Sequence, residues 1–178
     1  KIEPECVIDE GGSIIHGVMP GLEAPAALVG IAEKGYVSYA LTVRQPGGHS
    51  STPPPQSAIG ILSAAIAKLE ANPFPGGMTG PSKEMFAAFG PEMPFAQRAV
   101  FANLWLFSPL VERMLSGAPE TNAIVRTTTA VTMISGGVKD NVLPPEAKAV
   151  VNFRILPGET YKSVCERITK IIDDDRVE

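Results

Sequence analysis

Gly35-Tyr-Val-Ser-Tyr-Ala-Leu-Thr-Val-Arg-Gln-Pro-Gly-Gly-His49-Ser-Ser-Thr-Pro-Pro-Pro-Gln56 is the stretch from which the rest of the 178-residue chain is read. Val37, Tyr39, Leu41 and Val43 alternate with Ser38, Ala40, Thr42 and Arg44. That period of two predicts a strand with one buried face. Gly47-Gly48 allows a tight turn or a close backbone approach. Thr52 followed by prolines suits a helix entry, where a missing N–H costs nothing. His49 therefore sits on a short connection between two rigid elements, a position suited to a functional side chain. The bland alternative is a polar turn with an exposed histidine.

Downstream, Ile59, Leu62, Ile66 and Leu69 recur at helical spacing and predict a helix over 56–71, stopped by Asn72-Pro73. Residues 73–82 read as a loop, with Ser82 capping a short helix through Phe89. Residues 94–116 are helical in composition and apolar on more than one side, with Pro109 expected to kink or split them. Ile124–Ile134 reads as a long strand, placing Val125, Thr127, Thr129, Val131 and Met133 on one face. Gly136-Gly137 and Asp140-Asn141 form a turn, and 147–156 is a further alternating strand. Tyr161, Val164, Cys165, Ile168, Ile171 and Ile172 mark a last helix over 159–173, with Cys165 in its core face. Arg176-Val177-Glu178 begins one more strand.

From residue 35 this order is strand, helix, inserted helices, strand, strand, helix, strand. It is an α+β arrangement of ferredoxin-like βαββαβ order, with an antiparallel sheet and two helices on one face. Ser38, Thr42 and Arg154 fall on the other face. Upstream, residues 5–10 read as a strand ending in Asp9-Glu10, 13–15 as its continuation, and Leu28–Ala32 as a second strand. His16 reads as a loop residue.

Composition narrows the function. A net charge of −4 with mixed signs gives no basic surface for nucleic acid. No apolar run reaches the roughly 20 residues of a membrane span. The chain opens at Lys1-Ile2 without an initiator Met, which reads as a fragment; localisation is left unassigned. Cys6 and Cys165 make neither a disulfide framework nor a metal site by spacing. Two histidines, His16 and His49, give no two-histidine zinc site of usable spacing. Asp9-Glu10 is either a solvated turn or a carboxylate source for a metal. Arg154 is a surface charge or a two-point grip on a carboxylate. His49 is suited to donate to a developing oxyanion. The residues alone reach an anion-binding α+β domain.

Taken in series, Val7-Ile-Asp-Glu-Gly-Gly12, Gly30-Ile-Ala-Glu-Lys-Gly-Tyr36, Gly47-Gly-His-Ser-Ser-Thr-Pro-Pro-Pro55, Gly136-Gly-Val-Lys-Asp-Asn-Val-Leu-Pro-Pro-Glu146 and Asn152-Phe-Arg-Ile-Leu-Pro157 resemble the M20 zinc peptidases. More narrowly, the chain is similar to the branch of carboxypeptidase S (Gly-Xaa carboxypeptidase) and N-acyl-amino-acid hydrolases. The resemblance implies a tail of the catalytic domain and hinge over 1–34. It implies a lid, or dimerisation domain, over 35–178 with a helical insert at about 73–122. It further implies a homodimer through the lid and a parent enzyme with two zinc ions per active site. That parent would hydrolyse an amide bond next to a C-terminal carboxylate in a small dipeptide or N-acyl amino acid.

Within the resemblance, Asp9 or Glu10 is the place of one zinc carboxylate. His49 crosses the dimer to polarise the scissile carbonyl, and Asn141 and Arg154 help hold the substrate carboxylate. The family's His-x-Asp motif, Glu-Glu pair and C-terminal ligand histidine are absent from these residues, so the fragment is expected to be inactive and to bind zinc weakly. The alternative is a stand-alone ferredoxin-like binding or oligomerisation module.

Overall fold

The computed structural model describes residues 5, 12–17, 21–78 and 80–178. They fall into two compact units, one of Lys1–Glu33 with Met78–Met114 and one of Lys34–Gly77 with Leu115–Glu178.

The second unit is built on β3 (Gly35–Arg44), β5 (Thr128–Ser135) and β7 (Glu146–Ile155). The sheet order is β3-β7-β5, antiparallel throughout, with Gly35 opposite Ile155 and Arg44 opposite Glu146. Alternation does what the sequence predicts here: Ala147, Ala149, Val151, Phe153 and Ile155 of β7 are all buried. Their β3 partners Val37, Tyr39, Leu41 and Val43 share that face. It is covered by α1 (Ala58–Ala71) and α6 (Tyr161–Ile172), which close one core with Leu41, Val151, Phe153, Leu62 and Ile168. The chain is thus α+β with an antiparallel sheet. A fourth strand, expected for the ferredoxin-like order, is present only as a bridge between Val43 and Val177. Two 2.8 Å hydrogen bonds between Thr42 and Glu178 accompany it.

The helix ends explain themselves locally. Ser57, not Thr52, caps α1 by accepting the Gly60 N–H at 3.2 Å. The prolines at 53–55 precede that cap rather than opening the helix. The buried face of α1 is Ala58, Ile61, Leu62, Ala65 and Leu69, while Ile59 is exposed. Alanines take two inner positions and leave room for a close approach to the sheet. Thr160 and Ser163 form a reciprocal capping box on α6. Val164, Ile168 and Ile172 are its buried stripe, so Cys165, one position round, is exposed and not core.

Three further expectations change. Pro119–Val125 is a helix, α5, so the strand after it starts at Thr128 rather than Ile124. A bulge between Val131 and Met133 then puts these two on opposite faces, because one extra residue shifts the period-two alternation. The third change is upstream: β1 (Ser13–Ile15) pairs with β2 (Ala26–Leu28), so the second strand ends where Leu28–Ala32 was expected to begin.

In the first unit, α2 (Gly80–Phe89) holds Ser82 inside the helix and buried, not at its cap. Phe86 stacks on Phe101 at 5.1 Å between centroids. The long helical segment breaks at Asn103, between α3 (Phe95–Ala102) and α4 (Leu104–Leu115), while Pro109 lies inside α4. Asn103 caps both sides: its amide donates to the Ala99 carbonyl at 2.8 Å, and its own carbonyl accepts from Leu106 and Phe107. Among the described residues no helix is long and apolar enough to cross a membrane.

Candidate functional site

His49 lies in β4 (Gly48–His49), which pairs antiparallel with β6 (Val142–Leu143). His49 is opposite Val142, and the Ser50 N–H donates to the Asn141 carbonyl at 3.1 Å. The residues 136–146 and 47–55, far apart in the chain, therefore meet here. Gly47 suits the close approach: a Cβ there would stand 3.0 Å from the Leu143 carbonyl oxygen, so the ladder would have to give by a few tenths of an ångström. A Gln45 N–H bond to the Pro145 carbonyl, 2.9 Å, ties the base of this small ladder to the end of the main sheet. Pro144-Pro145 sits between β6 and β7, where no ladder bond is asked of it.

The His49 ring is exposed, and its Nδ1 meets Ser51 twice. The Ser51 hydroxyl oxygen is 2.8 Å away, and the Ser51 N–H donates to Nδ1 at 3.2 Å. Beside it, the side-chain oxygen of Asn141 is buried and has no hydrogen-bond partner among the described residues. A buried acceptor left unpaired costs about 1–3 kcal/mol, which a donor from a ligand or another chain would recover. Ser51 is the residue the sequence reading misses; its signal is a hydroxyl two positions after the histidine, where local side-chain to backbone bonds form readily.

Arg154 is elsewhere. It lies near the C-terminal end of β7, opposite Tyr36 on one side and Thr128 on the other. Its guanidinium carbon stands 4.8 Å over the Tyr36 ring, a cation–π contact. Glu146, at the His49 end of β7, is eight residues away, and at about 3.3 Å per strand residue that is roughly 26 Å. Within one chain, then, His49 and Asn141 converge and Arg154 does not join them. Near Arg154, Lys34 donates to the carbonyls of Ala123 and Arg126 at 2.9 and 2.7 Å. Burial pushes the Lys34 ammonium below its ordinary value; Glu159 opposes this and Arg154 adds to it. Asp9 and Glu10 lie outside the described residues.

A family model for the peptidase dimerisation domain of M20 enzymes matches residues 31–178. The chain belongs to the M20 peptidase dimerisation-domain family. It is 47% identical over 173 residues to an N-fatty-acyl-amino acid synthase/hydrolase of Xenopus tropicalis, covering 97% of this chain and 34% of that protein. It is 44% identical to a carboxypeptidase S-like protein of Dictyostelium discoideum, covering 97% and 33%. An M20 family metallo-carboxypeptidase of Sulfolobus solfataricus aligns in structure at 17% identity and TM-score 0.46, over 79% of this chain and 40% of the other. The chain spans about a third of the length of the curated relatives it matches. Residues 31–178 are an M20 peptidase dimerisation domain.

The M20 dimerisation domain belongs to metallopeptidases that generally depend on zinc. Among the described residues no three His, Cys, Asp or Glu side chains lie together as a metal ion would need. The described donors do not by themselves fit a zinc site.

Proposed function

We propose that this domain is the lid and dimerisation element of a dizinc M20 hydrolase, supplying His49 in trans to a partner subunit's reaction centre. The reaction is hydrolysis of an amide bond next to a free carboxylate. The carrying observation is the β4–β6 ladder, which sets His49 and Asn141 side by side on a rigid turn while Arg154 stays at the far end of the sheet. In this reading His49 donates to the carbonyl oxygen as negative charge develops on it, and Asn141 and Arg154 hold the substrate's carboxylate. In the parent, Asp9 or Glu10 would offer one carboxylate to a zinc ion of the catalytic domain, and that metal would supply an activated water.

The split of the three residues has a two-fold solution. Strand β5 is an edge of the described sheet and carries no charged residue from Thr128 to Ser135, while Met133 and Ile134 are exposed. Edges meant to stay single carry charges or prolines. If two β5 strands pair antiparallel about a two-fold axis, Ser135 of one comes beside Thr128 of the other. The partner's Arg154 then approaches the end of the sheet that bears His49 and Asn141. That arrangement supports self-association and a composite site together. The names of the relatives favour an N-acyl amino acid over a dipeptide as substrate, and family membership argues against a stand-alone binding module.

The test is complementation in a full-length parent enzyme. His49→Ala should lower kcat roughly 100- to 1,000-fold with zinc content unchanged. A second variant keeps His49 but lacks the general base, and it too is dead as a homodimer. On random re-pairing half the dimers are mixed, each with one good site, so about a quarter of wild-type activity should return. A mixture that stays dead while mixed dimers demonstrably form excludes action in trans.

A further inference from the structure

The two contacts at Nδ1 of His49 decide more than the ring's orientation. A backbone N–H can only donate, so the nitrogen that the Ser51 N–H addresses must carry a lone pair. Nδ1 of the neutral ring is therefore the acceptor, and its proton sits on Nε2. The Ser51 hydroxyl at 2.8 Å then also donates to Nδ1, since two acceptors facing one another would repel. Both bonds come from one residue, two positions along a turn closed by the Thr52 N–H to the His49 carbonyl at 3.2 Å. Ring and donor are thus held on the same rigid loop, which the β4–β6 ladder anchors.

We propose that Ser51 is a positioning residue: its N–H and hydroxyl hold neutral His49 in the tautomer protonated on Nε2, so that Nε2–H is the group offered to the substrate's oxyanion. The inference rests on the reading of His49 as an oxyanion donor and adds the residue that sets which ring nitrogen donates. Without Ser51 the neutral ring divides between two tautomers, and one of them presents a lone pair, not a proton, at Nε2. Such a ring would repel the developing charge it is meant to stabilise. Holding the donor in place beforehand is what makes such a group effective at the moment of reaction.

Nitrogen-15 spectra of the 178-residue chain test this directly. The spectra are recorded near pH 8.5, about two units above the ordinary histidine pKa. The chain has two histidines, so His16→Gln assigns both sets of signals, and exposed His16, whose ring has no hydrogen-bond partner among the described residues, serves as an internal reference. For His49, Nδ1 should resonate as an unprotonated acceptor and Nε2 as a protonated nitrogen. Ser51→Ala keeps the N–H and loses the hydroxyl, so both signals should move part-way toward those of His16; Ser51→Thr should restore them. In a full-length parent, Ser51→Ala should lower kcat roughly 3- to 10-fold, the loss of one hydrogen bond, with KM unchanged and with Thr rescuing. An Nδ1-protonated His49, or signals that Ser51→Ala leaves unmoved, overturns the proposal while leaving the role of His49 itself intact. If His49→Ala instead keeps full kcat, the oxyanion reading fails and the positioning role falls with it, whatever the spectra show.

Discussion

The unit of Lys34–Gly77 with Leu115–Glu178 and the unit of Lys1–Glu33 with Met78–Met114 handle apolar side chains in opposite ways. In the first, Val43, Val151, Phe153 and Val164 are 0% exposed, and the alternating strands close a core with α1 and α6. In the second, Trp105 is 82% exposed and Phe95 77%, although Val111 and Phe86 are buried. Leu106, Leu110 and Met114 line up at helical spacing on α4 and are exposed as well. A period-two pattern states its own solution, because the buried face of a sheet is every second residue. A helix that is apolar on two sides states only that one side lacks cover within its own unit. The lesson is that completeness of burial, and not the amount of apolar sequence, separates the two units.

The sharpest way to break that contrast is Phe153→Ala. Phe153 lies edge-on to Tyr39 and Phe74 at 6.0 and 5.9 Å, so truncation leaves a hole among rigid neighbours. A loss of about 3–5 kcal/mol is expected in denaturant unfolding of the chain. A value under about 1 kcal/mol would mean the sheet core is looser than its burial implies.

Next in size is the cap of α6. Thr160→Ala removes the hydroxyl that accepts the Ser163 N–H at 3.1 Å and should cost about 1 kcal/mol by the same measurement. Ser163→Ala, which takes away the returning bond to the Thr160 N–H at 3.0 Å, should cost less than the cap itself. The comparison then sharpens at α4. Leu110→Ser, on the exposed stripe, should change stability by no more than about 0.5 kcal/mol. If it destabilises the chain by as much as a core change does, the stripe is covered after all and the contrast between the units collapses.

Legibility follows the same division. The strands at 35–44 and 146–155, the helix at 161–172 and the turn bearing Asn141 are readable because their patterns are local and periodic. The start of β5 is not: Ile124 and Val125 suit strand or helix, and the choice was settled by packing, with Val125 buried at the end of α5. The bulge before Met133 leaves no mark in a run of β-formers, yet it reverses the face of all that follows. Of the site, the meeting of His49 with Asn141 rests on a two-residue ladder too short to have a pattern. The separation of Arg154 from them was open to inference, since eight residues of strand are long. Ser51 hid in a polar turn where any serine looks at home.

The smallest effect expected lies where the chain reaches β3 again. Asp174 accepts from the Arg176 side chain at 2.8 and 2.6 Å and from its backbone N–H at 3.1 Å. Arg176 also donates to Gln56 at 2.8 Å, and the next residue, Val177, bridges to Val43. The guanidinium bonds come first in holding the Asp174 carboxyl down to about 2; the backbone bond adds to them. In the unfolded chain the group returns to about 3.9. A carboxyl depressed on folding stabilises the fold at pH values above the unfolded pKa, and that contribution is lost as pH falls from about 4 through about 2. The pair is on the surface, so the loss should be small against acid unfolding as a whole. Carbon-13 titration of the carboxyls isolates it: Asp174 should hold its charge to about pH 2 in the native chain and lose that protection in Arg176→Gln. The stability difference between wild type and Asp174→Asn should shrink over the same window. An Asp174 that titrates near 4 in the native chain would show that this turn is not held by Arg176, and that the order of the sheet unit stops before Val177.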